Sequence, residues 1–265
     1  MKYKSIGAVA CAVILLVSVF NWNLLFGKTT EKRVHQHLSY AAKEKCEQAH
    51  GDSVFCTHLP LISIDTNGQE IPGKGVTDEN GKRIGFSTTP DGGDRITASM
   101  QVMDSETEYN HTSDKPTVSS DIVIHARGNS SRYFEKSGYR VKLVDKDGNS
   151  NPKSLLGMDE HQDWVLHGPY LDKTLIRNYM MYNISGEVMD YAPNVRFCEV
   201  VINGNYEGVY VLTEMITAGK NGARLNMAVD AKDNTYTGYL LRLDRQNGVE
   251  TDRVNNLTAY TPVSY

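Results

Sequence analysis

The chain has 265 residues, 40% of them hydrophobic, and a formal net charge of -4. That is enough apolar material for one or two domains with a true core. The small charge supplies no field that would gather nucleic acid or an anionic membrane surface, and the eight scattered histidines contain no pair with the spacing of a zinc or metalloprotease signature.

Lys2 and Lys4 precede an uncharged run from Ser5 to Gly27 with Ile6 to Phe20 as its apolar heart. The run is long enough to span a bilayer and reads as a leader over residues 1–28, first an uncleaved signal anchor and second a cleaved signal peptide. Either way the folded part is expected outside the cytoplasm, at the cell membrane on one anchor or secreted. Residues 29–58 read as a polar linker and 59–265 as the folded domain. Cys11 and Cys198 read as packing residues. Cys46 and Cys56, ten apart in a polar segment, are able to form a local disulfide if the domain is exported. A zinc site would need two more ligands that the sequence does not mark.

Strands are expected from Leu59 to Asp65, closed by the Thr66-Asn67-Gly68 turn, and then near Arg83 to Ser87 and Arg95 to Met103. Asp104 to Ser119 is polar and reads as a surface loop. Two better-marked strands follow. In Asp121 to Arg127, Ile122, Ile124 and Ala126 alternate with Val123, His125 and Arg127; in Tyr139 to Leu143, Tyr139, Val141 and Leu143 oppose Arg140 and Lys142. Asp145 to Asn149 resembles a calcium loop, but its glycine stands fourth rather than sixth and no closing Glu follows, so it reads as a turn.

Trp164 to Leu166 is a short strand broken by Gly168-Pro169. Asp172 is placed to cap a helix starting at Lys173, with Ile176, Met180 and Ile184 as its buried face and Leu175, Tyr179 and Val188 beside them. Lys173 and Arg177 fall one turn apart at the positive end of that helix. They are either solvated and ion-paired or face a phosphate. Val195 to Asn203 and Gly208 to Ile216 read as a hairpin turning at Asn203-Gly204, and Thr237 to Leu243 as a final strand. The sum is an α+β arrangement, a mixed sheet with one dominant helix and fifteen tyrosines for the β-rich part.

Gly128-Asn129-Ser130-Ser131 follows a strand and offers small residues whose amides can cradle an oxyanion, though a plain turn fits it too. Lys142 sits on its strand as kinases mount a phosphate-binding lysine. Glu199 and Glu214 could anchor such a lysine, or pair instead with Arg196 or Arg242.

Taken together, Arg127-Gly128-Asn129-Ser130-Ser131, Tyr139-Arg140-Val141-Lys142-Leu143, Leu155-Leu156-Gly157-Met158, the block from Asp163 to Asn178, Ala192-Pro193, Asn203-Gly204-x-Tyr206-x-Gly208-Val209-Tyr210, Glu214 and Gly238-Tyr239-Leu240-Leu241 resemble, in this order, the spore coat protein H (CotH) kinase family. The resemblance covers about residues 59 to 265. It implies an atypical kinase-like fold that binds ATP with Mg or Mn and phosphorylates proteins on Ser or Thr. It puts Arg127, Lys142, Arg177 and Glu214 on the ATP side, and implies protein partners at a spore coat or cell surface. Catalysis is one role the family implies and adhesin-type binding is the other. The family's downstream Asn-x-Asp and Trp-Asp-x-Asp-like segments, whose aspartates serve the chemistry and the metal, do not occur before Tyr265. The expectation is therefore the amino-terminal part of the domain, inactive by itself, with no metal ligands and no catalytic residue assignable.

Overall fold

The computed structural model describes residues 54–189 and 191–217, together with 43 and 46. The leader, most of the linker and the expected strand at Thr237 to Leu243 lie outside the described residues. Thirteen strands are described: β1 (Cys56–Thr57), β2 (Leu61–Asp65), β3 (Gly75–Thr77), β4 (Arg83–Phe86), β5 (Ile96–Met103), β6 (Asn110–His111), β7 (Val118–Arg127), β8 (Gly138–Val144), β9 (Lys153–Leu155), β10 (Met158–His161), β11 (Asp163–His167), β12 (Val195–Ile202) and β13 (Asn205–Glu214). One helix, α1 (Arg177–Val188), stands between β11 and β12. The chain is thus β-rich with one helix, as expected for an α+β arrangement. None of the described helices is long and apolar enough to cross a membrane.

Seven strands close into a barrel in the order β11-β13-β12-β2-β5-β7-β8, a closed form of the mixed sheet that was expected. Every pairing is antiparallel except β12 with β2. The alternation that marks the strands also fills the interior. Ile122, Ile124 and Ala126 of β7, Tyr139, Val141 and Leu143 of β8, and Trp164 and Leu166 of β11 are all buried in one core. Val123, His125, Arg127, Arg140 and Lys142 point outward. Closure removes the exposed edges that an open sheet would leave.

Two of the three large aromatics of the core give their polar end to a backbone carbonyl. Trp164 Nε1 donates to the His161 carbonyl at 2.8 Å, and Tyr210 Oη donates to the Ser137 carbonyl at 3.1 Å. Tyr139 stacks on Tyr210 with centroids 6.2 Å apart, and burial pushes its phenol up to about 12. Cys198 is buried in the same core, which accords with its reading as a packing residue.

The two Asn-Gly turns behave as expected. Asn203 and Gly204 both take positive φ, 51° and 80°, the signature of a two-residue hairpin between β12 and β13. Asn67 and Gly68 do the same after β2, at 53° and 76°. The turns are tied to each other: Thr66 N donates to Asn203 Oδ1 at 2.9 Å and Asn203 Nδ2 donates to Thr66 Oγ1 at 2.8 Å. This clamp closes the one parallel seam of the barrel. Asp145 Oδ1 accepts from the Asp147 and Asn149 amides at 2.9 and 2.8 Å, so that loop is a turn held by its own aspartate.

The helix departs from its sequence reading in two respects. It begins at Arg177, not Lys173, because Leu175 takes a left-handed φ of 63° that no helical residue can hold. Asp172 caps from further back, accepting from Thr174 N at 3.0 Å and Arg177 N at 2.8 Å. The buried stripe is also rotated. Asn183 and Gly186 are the buried residues of α1, and Tyr179 stacks on Phe197 of β12 with centroids 4.3 Å apart. Ile176, Met180 and Ile184 are 48%, 46% and 44% exposed, so the expected core face points to solvent in this structure. Both stripes recur every three to four residues, so periodicity alone could not choose between them.

Candidate functional site

Closure places a row of cationic and imidazole side chains along the outward faces of β7, β8 and β11. The register sets His125 opposite Arg140, Val123 opposite Lys142, and Lys142 opposite Asp163. Arg140 Nη2 pairs with Asp163 Oδ1 at 2.8 Å, and the Asp163 side chain is only 7% exposed. Gln162 Nε2 donates to the other carboxylate oxygen at 3.1 Å, so this nearly buried acid has partners on both oxygens.

The electrostatics of the row are those of crowded cations. Partial burial lowers the His125 pKa most, and Arg140 and Arg95 lower it further. His167, the last residue of β11, is likewise lowered by burial first and by Arg127 second, with Asp172 opposing. Arg127 is exposed as a residue, yet burial of its head group holds it below the usual guanidinium value. Tyr182 of α1 opposes that shift and Arg140 adds to it.

The predicted site residues divide accordingly. Arg127, His167, Asp172 and Arg177 form a chain of neighbours at one end of the barrel, since His167 feels both Arg127 and Asp172 and Arg177 lies 3.5 Å from Asp172. Arg177 is thus ion-paired, the plainer of its two sequence readings, and Lys173 lies outside the helix over the Tyr170 ring at 5.2 Å. Lys142 shares the outward face, but its register partner Val123 is four residues along β7 from Arg127, roughly 13 Å. Glu214 is not with them. It is buried, opposite Trp164 in the register, and accepts from the Asn194 amide at 3.0 Å. Glu199 accepts from Tyr206 Oη at 3.0 Å. Neither glutamate is the acid beside Lys142; that position belongs to Asp163. Asp163, Arg140, His125 and His167 were not singled out from sequence, because cross-strand register brings them together and register is not written in any one segment.

The loop after β7 has a tighter role than its composition suggests. Gly128 has φ of 119°, and a Cβ there would collide with Ser131 Oγ, so only glycine fits. Ser130 to Tyr133 forms a 3-10 turn, and Arg132 reaches back to the Ala126 carbonyl at 3.1 Å while its guanidinium lies 3.8 Å over the Phe86 ring. A shallow cavity of about 460 Å³ lies elsewhere, lined by Ser63, Asp65, Ser99, Gln101 and the Asn203–Gly204 turn, and none of the predicted site residues borders it.

A barrel wall carrying guanidinium, imidazole and ammonium donors suits phosphate oxygens. It does not suit a hard divalent cation: among the described residues, the metal-competent group that gathers is Cys46, Cys56 and His111, which contains no carboxylate.

Residues 124–262, just over half of the chain, match the CotH kinase protein family, and the chain belongs to that family. The inner spore coat protein H of Bacillus subtilis (strain 168) is 26% identical over 148 residues, covering 50% of this chain and 38% of that protein. The chain thus spans well under half the length of that relative.

Proposed function

We propose that the protein is an atypical, kinase-like CotH protein of the cell exterior that binds ATP through its phosphates and transfers phosphate to Ser or Thr of surface or coat proteins. The observation that carries this reading is the outward row on β7, β8 and β11. The family match begins at residue 124, on β7, and runs through His125, Arg127, Arg140, Lys142, His167 and Arg177. Five side chains that are cationic or can become so lie on that wall, His125, Arg127, Arg140, Lys142 and His167, with Arg177 of α1 paired to Asp172 beside it, and such crowding is an unfavourable surface unless an anion completes it. The relative's name supports a coat or surface setting, and the leader expected over residues 1–28 supports export and attachment to a membrane.

The test is ATP binding by the full chain, followed by transfer of labelled phosphate with Mg or Mn. Arg127→Ala should weaken ATP binding by about tenfold or more, as loss of one charge-assisted hydrogen bond does. Lys142→Ala should weaken it too, while Lys146→Ala, on an exposed turn outside the row, leaves it unchanged. Absence of any ATP affinity, together with capture of a coat or surface protein, would replace the kinase reading with that of a binding protein.

A further inference from the structure

We propose that Cys46, Cys56 and His111 form a zinc site that ties Cys46 to the β1–β6 ribbon. Their ligand atoms all lie within 4.8 Å of one another, and no disulfide joins the two sulfurs. Two thiolates and an imidazole are the donor set that zinc takes in tetrahedral sites, with the fourth position left to solvent.

The geometry is built rather than accidental. Cys56 and His111 are direct cross-strand partners in the antiparallel β1–β6 pair, so backbone pairing holds two of the three ligands face to face. The ribbon is seated on the barrel by Phe55, which packs against Leu61, Met103 and Val201 and stacks on Tyr206 with centroids 4.5 Å apart. Asn110 Nδ2 ties β6 to the Leu59 carbonyl at 2.8 Å. The imidazole is oriented as well. His111 Nδ1 lies 3.2 Å from Asp114 Oδ2, which also accepts the His111 amide at 2.7 Å. A carboxylate on Nδ1 selects the tautomer whose lone pair is on Nε2 and makes that nitrogen a stronger ligand. The sequence hid this site because the cysteines stand ten residues apart and the histidine arrives from a segment that reads as a loop.

The chemistry is a ligand exchange. Each thiol releases a proton as its sulfur replaces a water on the metal, the imidazole replaces another, and nothing is oxidised or reduced. The experiment titrates the full chain, purified under reducing conditions, with Co(II) as the spectroscopic stand-in. One equivalent should bind with a sulfur-to-metal charge-transfer band, and Zn(II) should displace it. Cys46→Ser and Cys56→Ser should each remove that band while the near-ultraviolet circular dichroism of the barrel stays intact, and Cys11→Ser should keep it. Asp114→Asn should weaken the affinity by about 10–100-fold without removing the band. A wild-type chain with no thiolate band, or a band that survives Cys56→Ser, overturns the proposal. So does a Cys46–Cys56 disulfide that is closed in the native protein and leaves a reduced form unable to bind metal.

Discussion

Replacing Asn203 separates a structural role from a nucleotide-binding one at a residue of the CotH motif. The side chain holds two bonds to Thr66, which is fully buried, and the backbone sits at a φ of 51°. Asn203→Ala strands the Thr66 amide, at about 1–3 kcal/mol, and places a non-glycine, non-asparagine residue in the left-handed region, at about 1–2 kcal/mol. The sum is roughly 2–5 kcal/mol, or about 5–15 °C in Tm for a domain of this size. Asn203→Gly loses the same bonds but escapes the strain, against about 0.5–1 kcal/mol of added chain entropy. Glycine should therefore be the milder substitution by about 0.5–1 kcal/mol. The assay is thermal and urea unfolding followed by circular dichroism, beside ATP binding of the folded variants. A glycine variant less stable than the alanine variant would refute the strain argument. Destabilisation below about 0.5 kcal/mol for both would refute the clamp. Loss of ATP affinity without loss of stability would mean the motif asparagine serves the ligand.

Tyr210→Phe should cost about 1–3 kcal/mol in urea unfolding, because it strands the Ser137 carbonyl in the core. Met180→Ser and Ile184→Ser together should change stability by no more than about 0.5 kcal/mol each and reduce aggregation, whereas a buried stripe would lose far more. His125 and His167 have pKa values lowered in the fold, so the unfolded chain binds more protons once pH falls below the ordinary histidine value of about 6.5. Their contribution is present above that pH and is lost as pH falls towards the folded values; Tm should drop from pH 7 to pH 5, and less steeply in His125→Gln and His167→Gln. A bound phosphate reverses the balance at His167, so ATP affinity should rise as pH falls through the same window while the fold persists.

Period-two segments were legible where they carried their own evidence. The inward residues of β7 and β8 alternate with polar ones, and the Asn-Gly turns announce their backbone conformation, so those elements could be named from residues alone. The closing of the sheet could not, because it depends on β8 pairing with β11, and β11 is too short and too uniformly buried to reveal a face. The helix failed for a different reason. Leu175 in a left-handed conformation moves the start by a turn, and two equally periodic stripes compete for the core. At the candidate site, Arg127 and Lys142 were visible as cations on strands, but their neighbours Arg140, Asp163 and His167 acquire meaning only through register.

The barrel wall sorts the residues that carry the family resemblance into two sets with different physical duties. Tyr139, Val141, Leu143, Trp164, Leu166 and Tyr210 face the core, while Gly128, Asn203 and Gly204 hold backbone conformations with positive φ. Packing and turn geometry account for these without reference to any ligand. Arg127, Arg140 and Lys142 occupy the same strands but the opposite face, where the core makes no demand on them. A barrel of this kind would close as well with neutral polar residues at those outward positions, and would avoid the arginine repulsion that adds to burial in lowering His125 and His167. Cation crowding on a wall that folding does not require is therefore the feature that supports the proposal of an anionic ligand there.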